Sequence, residues 1–186
     1  MADGPARIEG YAIVSEDGML ANSAGVMPDS LKFEADQTFF ADGLDHCDAV
    51  VHGRHSHEQQ PHSPQRKRIT LTHAVAALGP DPGNEKGVLW NPAGARLDQV
   101  WTALGIEGGT LGVIGGTDAF GMFLVHYNVF YLTRAPGVTL PGGRPVFPEV
   151  PRLTPEKVMT QHGLAQQEER TLDAAKGLIV HVWRRG

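Results

Sequence analysis

Cysteine is almost absent: Cys47 is the only one among 186 residues. That excludes an internal disulfide framework and any multi-cysteine zinc or iron–sulfur centre, and it fits a reducing compartment. A basic excess is absent too. Sixteen Lys and Arg face twenty-one Asp and Glu, for a net charge of −5 with nine neutral histidines, so nothing draws the chain to a nucleic-acid backbone. No apolar run approaches a membrane span, and Met1–Ile8 lacks the apolar core of a signal peptide. The expectation is a cytoplasmic protein with neither a membrane nor a nucleic-acid partner.

Glycine and proline are abundant instead. The 23 Gly and 13 Pro make up about a fifth of the chain, against about 12% ordinarily. They follow no Gly-X-Y period, so they mark turns, and they argue against a long helical bundle. Hydrophobic residues at 41% and charged residues at 20% exclude a mostly disordered chain. The length suits one domain over residues 1–186 with its own core.

Residues 8–15, 48–52, 68–72, 87–90, 110–114 and 127–133 read as short strands, mostly apolar and bounded by turn residues. Helices are expected over 31–44, capped by Asp29 or Ser30, and over 95–104, with a short helical pattern at 119–124. Residues 74–78 suggest a helical turn, 79–83 a loop and 141–145 a sharp turn. Residues 157–169 and 177–183 read as two closing strands, paired antiparallel. Alternating strands and helices followed by strands give an α/β domain with a mostly parallel sheet and an antiparallel edge.

Three segments carry chemistry. In Leu111-Gly-Val-Ile-Gly-Gly-Thr-Asp-Ala-Phe120 an apolar strand runs through Gly115 and Gly116 directly into a helix. Paired glycines admit a ligand close to the main chain, and a helix start suits a phosphate; a tight strand–helix turn uses the same pattern. Neither a G-x-G-x-x-G fingerprint nor a P-loop lysine motif is present. In His52-Gly-Arg-His-Ser-His57 a strand ends at Gly53, and Arg54, His55 and Ser56 can hold a phosphate; a solvated basic loop is the plainer reading. His52, His55, His57 and His62 lack a diagnostic metal spacing, and no metal is expected. In Asp36-Gln-Thr-Phe-Phe40, Asp36 and Phe40 share a helix face. A carboxyl beside aromatic surface can handle a proton near neutral pH; an exposed acid near a helix start is the alternative.

Five landmarks occur in one order: Ala12-Ile-Val-Ser-Glu-Asp-Gly18, Asp48-Ala-Val-Val-His-Gly-Arg54, Val113-Ile-Gly-Gly116, Tyr131-Leu-Thr133 and Gly142-Gly-Arg-Pro-Val-Phe-Pro148. In this order the chain resembles the dihydrofolate reductase-like superfamily from about Ile8 to the C-terminus. It is most similar to the reductase domain of riboflavin biosynthesis. The resemblance implies a three-layer α/β/α fold with a mostly parallel central sheet and an antiparallel C-terminal edge. It also implies hydride transfer from NADPH to a pyrimidine- or pteridine-like heterocycle, and a homodimer.

By the same resemblance Ile114, Gly115 and Gly116 meet the cofactor diphosphate, often through a cis peptide, and Thr117 and Asp118 open the helix beneath it. Gly53, Arg54, His55 and Ser56 match the phosphate loop. Thr72 and His73 match the strand end beside the adenosine 2′-phosphate, and Ala12 and Ile13 lie near the nicotinamide. Asp36, Phe40 and Thr133 match the proton-handling acid, the ring-packing aromatic and a hydrogen-bonding partner. Two departures stand out. Riboflavin-type reductases carry a helix arginine for the substrate's ribose phosphate, whereas Asp42-Gly-Leu-Asp-His46 has none. Folate reductases carry a tryptophan soon after Met-Pro, whereas Asp29 follows Met27-Pro28. Dihydrofolate reduction and a non-catalytic nucleotide-binding role are therefore the alternatives to a riboflavin-type reductase.

Overall fold

The computed structural model describes residues 4–56 and 58–186. His57, and the first three residues of the N-terminal reading, lie outside the described residues.

The main sheet is built from β1 (Arg7–Val14), β3 (Ala49–Gly53), β4 (Arg68–Leu71), β5 (Leu78–Pro80), β6 (Gly87–Trp90), β7 (Thr110–Val113), β8 (Val129–Arg134), β10 (Leu164–Asp173) and β11 (Leu178–Arg185). Its order is β10-β11-β8-β1-β7-β3-β4-β6-β5. Every pair from β8 to β6 is parallel. The C-terminal strands β11 and β10 add the antiparallel edge. A small ribbon pairs β2 (Met19–Ala21) with β9 (Arg144–Pro145). The helices are α1 (Glu34–Asp45), α2 (Leu97–Ala103), α3 (Thr117–Met122) and α4 (Pro155–Gln161). Among the described residues no helix is long and apolar enough to cross a membrane.

Strand alternation divides the interior in two. Along β1, Ile8, Ala12 and Val14 join a large cluster that includes Val100 and Trp101 of α2, Ala119 and Phe120 of α3, and Val158 and Met159 of α4. Tyr11 points the other way, into a smaller cluster with Val50, Ile114 and Tyr131 beneath Phe39, Phe40 and Leu44 of α1. The sheet is thus sandwiched between α1 and the other helices.

Four local expectations are corrected. The segment 157–161 is helical, and β10 begins only at Leu164. Thr154 accepts a hydrogen bond from the Lys157 backbone N–H, Pro155 occupies the first turn, and Val158 and Met159 are fully buried. This start signal outweighs the β-branched residues behind it. Gly79 and Pro80, expected in a loop, belong to β5, an outermost strand antiparallel to β6. Proline is tolerated there because an edge strand has one side unpaired. Residues 73–77 form bends without a helical turn; Asn91 holds them, donating from its side chain to the Val75 carbonyl and from its backbone N–H to that of Ala77. Asp29 and Ser30 do not cap α1. They lie in a 3-10 turn, Asp29–Leu31, and Asp29 pairs with Lys32 at 3.1 Å. Glu34 and Asp36 in the first turn of α1 suit its positive dipole end.

Candidate active site

Parallel strands bring their carboxyl ends to one edge of the sheet, where open α/β folds form their crevices. Here that edge collects Val14, Gly53, Leu71, Val113 and Arg134.

At its centre β3 and β7 lie side by side. The Ile114 backbone N–H donates to the Val51 carbonyl at 3.0 Å, and the Gly53 N–H donates to the Gly115 carbonyl at 2.8 Å. The Gly115–Gly116 peptide is cis, and Gly115 has φ +115°, a region side chains rarely adopt. The loop after β3 turns back at once, with the Ser56 N–H donating to the Gly53 carbonyl at 3.1 Å. The two glycine segments therefore lie side by side, joined by a hydrogen bond, with the Ser56 hydroxyl close against them. Among the described residues, a Cβ on Gly53 would meet only the Gly116 nitrogen, at 3.9 Å, and one on Gly116 only the Ser56 hydroxyl, at 3.3 Å.

Around this bare main chain, Arg54 and His55 are exposed, and Arg54 Nε donates to His55 Nε2 at 3.1 Å. Thr72 follows β4, the neighbour of β3. Its N–H donates to the Trp90 carbonyl at 2.9 Å and its hydroxyl accepts from the Ala74 N–H at 3.1 Å; His73 beside it is exposed. Asp118 is exposed at the start of α3. The Thr117 hydroxyl donates to the Pro145 carbonyl at 2.5 Å, fastening α3 to β9, so that side chain is already engaged. Ile114 turns its side chain into the small cluster under α1. Ala12, half-buried, pairs with Leu132, and Ile13 with Thr133.

The proton-handling candidates meet on the α1 face. Asp36 is 9% exposed and Thr133 1%. Burial pushes the Asp36 carboxyl up to about 6, against the pull of a hydrogen bond from Thr133. Asp36 is thus no solvated surface acid. One turn on, Phe40 packs on Tyr11 with ring centroids 6.1 Å apart.

Sequence reasoning left the floor under α1 without a role. Tyr11 and Tyr131 are register partners, stacked at 4.8 Å, with Phe39 edge-on to Tyr131 at 5.4 Å. The Tyr11 hydroxyl donates to the buried Glu9 carboxylate at 2.6 Å. The available signal was position: each tyrosine stands two residues before Ile13 or Thr133 and shares its face.

Among the described residues no group of three or more His, Cys, Asp or Glu could hold a metal ion. His62 instead pairs with Asp45 at 3.0 Å.

No protein-family model matches the sequence, and no curated protein matches it. Solved structures do. A riboflavin biosynthesis protein from Shewanella sp. PV-4 superposes with a TM-score of 0.67 at 20% identity, covering 97% of this chain and 99% of that one. A dihydrofolate reductase from Enterococcus faecalis, complexed with NADP(H) and RAB-propyl, gives a TM-score of 0.65 at 17% identity, covering 98% of both chains. A deaminase/5-amino-6-(5-phosphoribosylamino)uracil reductase from Thermotoga maritima gives 0.61 at 14% identity, covering 98% of this chain and 57% of that one. The chain has the dihydrofolate reductase-like fold, as its sequence landmarks imply.

Proposed function

We propose that the chain is an NADPH-dependent reductase that transfers hydride to a pyrimidine- or pteridine-type heterocycle, of the riboflavin-pathway reductase type. The observation that carries this reading is Asp36: a carboxyl buried against Thr133, near the carboxyl end of the sheet, with its pKa raised to about 6. A carboxyl whose charge is disfavoured by burial is suited to hold and deliver a proton near neutral pH, and such groups cluster at catalytic sites.

The residues present fit the cofactor. Gly53 and Gly116 put no side chain over this main chain, and Gly115 between them is buried, where an added Cβ would meet the Phe120 ring at 3.2 Å. They would receive the diphosphate together with Ile114 and the N-terminal residues Thr117 and Asp118 of α3. Arg54, His55 and Ser56 would hold phosphate oxygens, Thr72 and His73 the adenosine 2′-phosphate, and Ala12 with Ile13 would border the nicotinamide. NADPH, when bound, supplies the hydride. Asp36 holds a proton at its carboxyl and delivers or relays it to a ring nitrogen of the substrate. The Thr133 hydroxyl donates to Asp36 and fixes its orientation, and Phe40 packs against the heterocycle.

A second reading, dihydrofolate reduction, is favoured by the buried Asp36–Thr133 pair itself, which presents an acceptor to a ring N–H and an adjacent amine. NADPH oxidation against a panel of aminopyrimidines with and without a phosphoribosyl group, pterins and dihydrofolate separates the two. We expect turnover with one class and its loss in Asp36→Asn. No oxidation with any member, combined with no NADPH binding, overturns both readings.

A further inference from the structure

Beyond the candidate site, the most heavily built charged cluster closes the loop that follows β3. Glu58 lies two residues after Ser56, and its side chain is only 1% exposed. Its carboxylate accepts from Arg66 Nε at 2.6 Å and from the Gln60 backbone N–H at 2.7 Å, and Arg68 Nη2 stands at 3.4 Å. The Ser63 hydroxyl donates to the Glu58 carbonyl at 2.8 Å and accepts from Arg68 Nη2 at 2.9 Å. Arg66, its side chain 7% exposed, extends Nη1 to Asp45 at 2.7 Å. Asp45 is the last residue of α1. One buried carboxylate thus ties together the loop, the entry to β4 and, through Arg66, the end of the helix that carries Asp36.

Such a cluster is a poor way to gain stability. Apolar side chains of similar volume usually do as well or better, because buried charges lose their hydration. What ion pairs provide is direction: a carboxylate held by fixed donors has one geometry. Geometry is also what the preceding residues need. Arg54 and His55 are exposed, and none of the described residues between β3 and the 3-10 turn Ser63–Gln65 lies in a helix or strand. The Ser56 hydroxyl nonetheless stands beside the Gly115–Gly116 main chain. Burial pushes the Glu58 carboxyl up, but the bonds from Arg66 and the Gln60 N–H outweigh it and hold it below the ordinary range.

Resting on the cofactor reading above, we infer that Glu58 is a positioning residue for NADPH. By fastening the far side of the loop to β4 and α1, it presents Arg54, His55 and Ser56 to the cofactor phosphates without touching them.

The test titrates NADPH into the full chain and measures turnover at saturating NADPH and the melting midpoint of the free protein. Glu58→Gln is expected to raise the NADPH dissociation constant about tenfold, the worth of one charge-assisted bond, with saturated turnover within about twofold of wild type. Asp45→Asn, at the more exposed end of the chain of bonds, should raise it about threefold. Unchanged NADPH affinity in both variants, whatever the midpoint does, makes Glu58 a purely structural residue and overturns the inference. Reduced saturated turnover at unchanged affinity overturns it too. If Glu58→Gln does not fold, Asp45→Asn alone decides. A wild-type chain that binds no NADPH fails earlier and brings down the cofactor reading itself.

Discussion

Asp36 is the residue at which folding and proposed chemistry pull in opposite directions. Its carboxyl rises from an ordinary 3.8 to about 6 because burial disfavours the charge. Between those two values the native state binds the proton more tightly than the unfolded chain does. Stability from this group is therefore greatest in acid and is lost as pH rises through about 6, a penalty of about 3 kcal/mol when complete. Asp36→Asn removes the penalty. The variant should melt above wild type at pH 7.5, and the gap should close by pH 4, as followed by thermal unfolding across that range. Its turnover should fall at least about a hundredfold, with NADPH affinity retained, and the decline of wild-type kcat/KM as pH rises through about 6 should disappear. The Asp36/Phe40 spacing was legible in the sequence. The burial that gives Asp36 its proton affinity was not, because it arises only when α1 packs on a sheet face whose residues, Thr133 among them, are distant in the chain.

At the scale of elements, the seating of α1 on the sheet decides where Asp36 and Phe40 end up. A Cβ on Gly43 would fall 2.5 Å from the Tyr11 ring, so the helix rests at contact distance on β1, and Glu9 holds the Tyr11 hydroxyl beneath it. Gly43→Ala must lift the helix or displace the ring. We expect a loss of about 1–3 kcal/mol in urea unfolding, as overpacking costs, together with a higher KM for the heterocycle. Elements with a strong periodic stripe were readable: α2 with its buried Val100 and Trp101, and β7 running into two glycines. Those that depend on a partner were misjudged. Val158 and Met159 fit either a strand or a helix until Thr154 and Pro155 set the start of α4. Gly79 and Pro80 look like pure turn until β6 lies alongside. The floor of the α1 face was equally hidden, since Tyr11 and Tyr131 become neighbours only through sheet register.

For the whole molecule, the order of motifs along the chain carried the fold, although each motif alone was weak. Glycine at 115 and 116, a glycine closing β3 and a threonine at 133 mean little until a parallel sheet brings their strand ends together. That convergence also makes a global prediction. A ligand bound only by the folded state stabilises it by about 2.7 kcal/mol at a hundred times its dissociation constant. In a chain of this size that raises the melting midpoint by about 5–10 °C. NADPH should produce such a shift in a thermal scan, and a flat response would leave the glycine cradle without a ligand.

The placement of β1 has a consequence for how the protein is made. Its two neighbours are β7 and β8, so Arg7 waits for Thr110 and Glu9 for Val129. Of the strands of this sheet β1 leaves the ribosome first and is among the last to be paired, with about a hundred residues translated between it and the nearer of its two partners. An apolar strand left open that long invites pairing with other chains. Synthesis of this molecule therefore spends its most aggregation-prone interval before residue 134 leaves the exit tunnel, and a pause placed just upstream of that point would be more harmful than one placed after it.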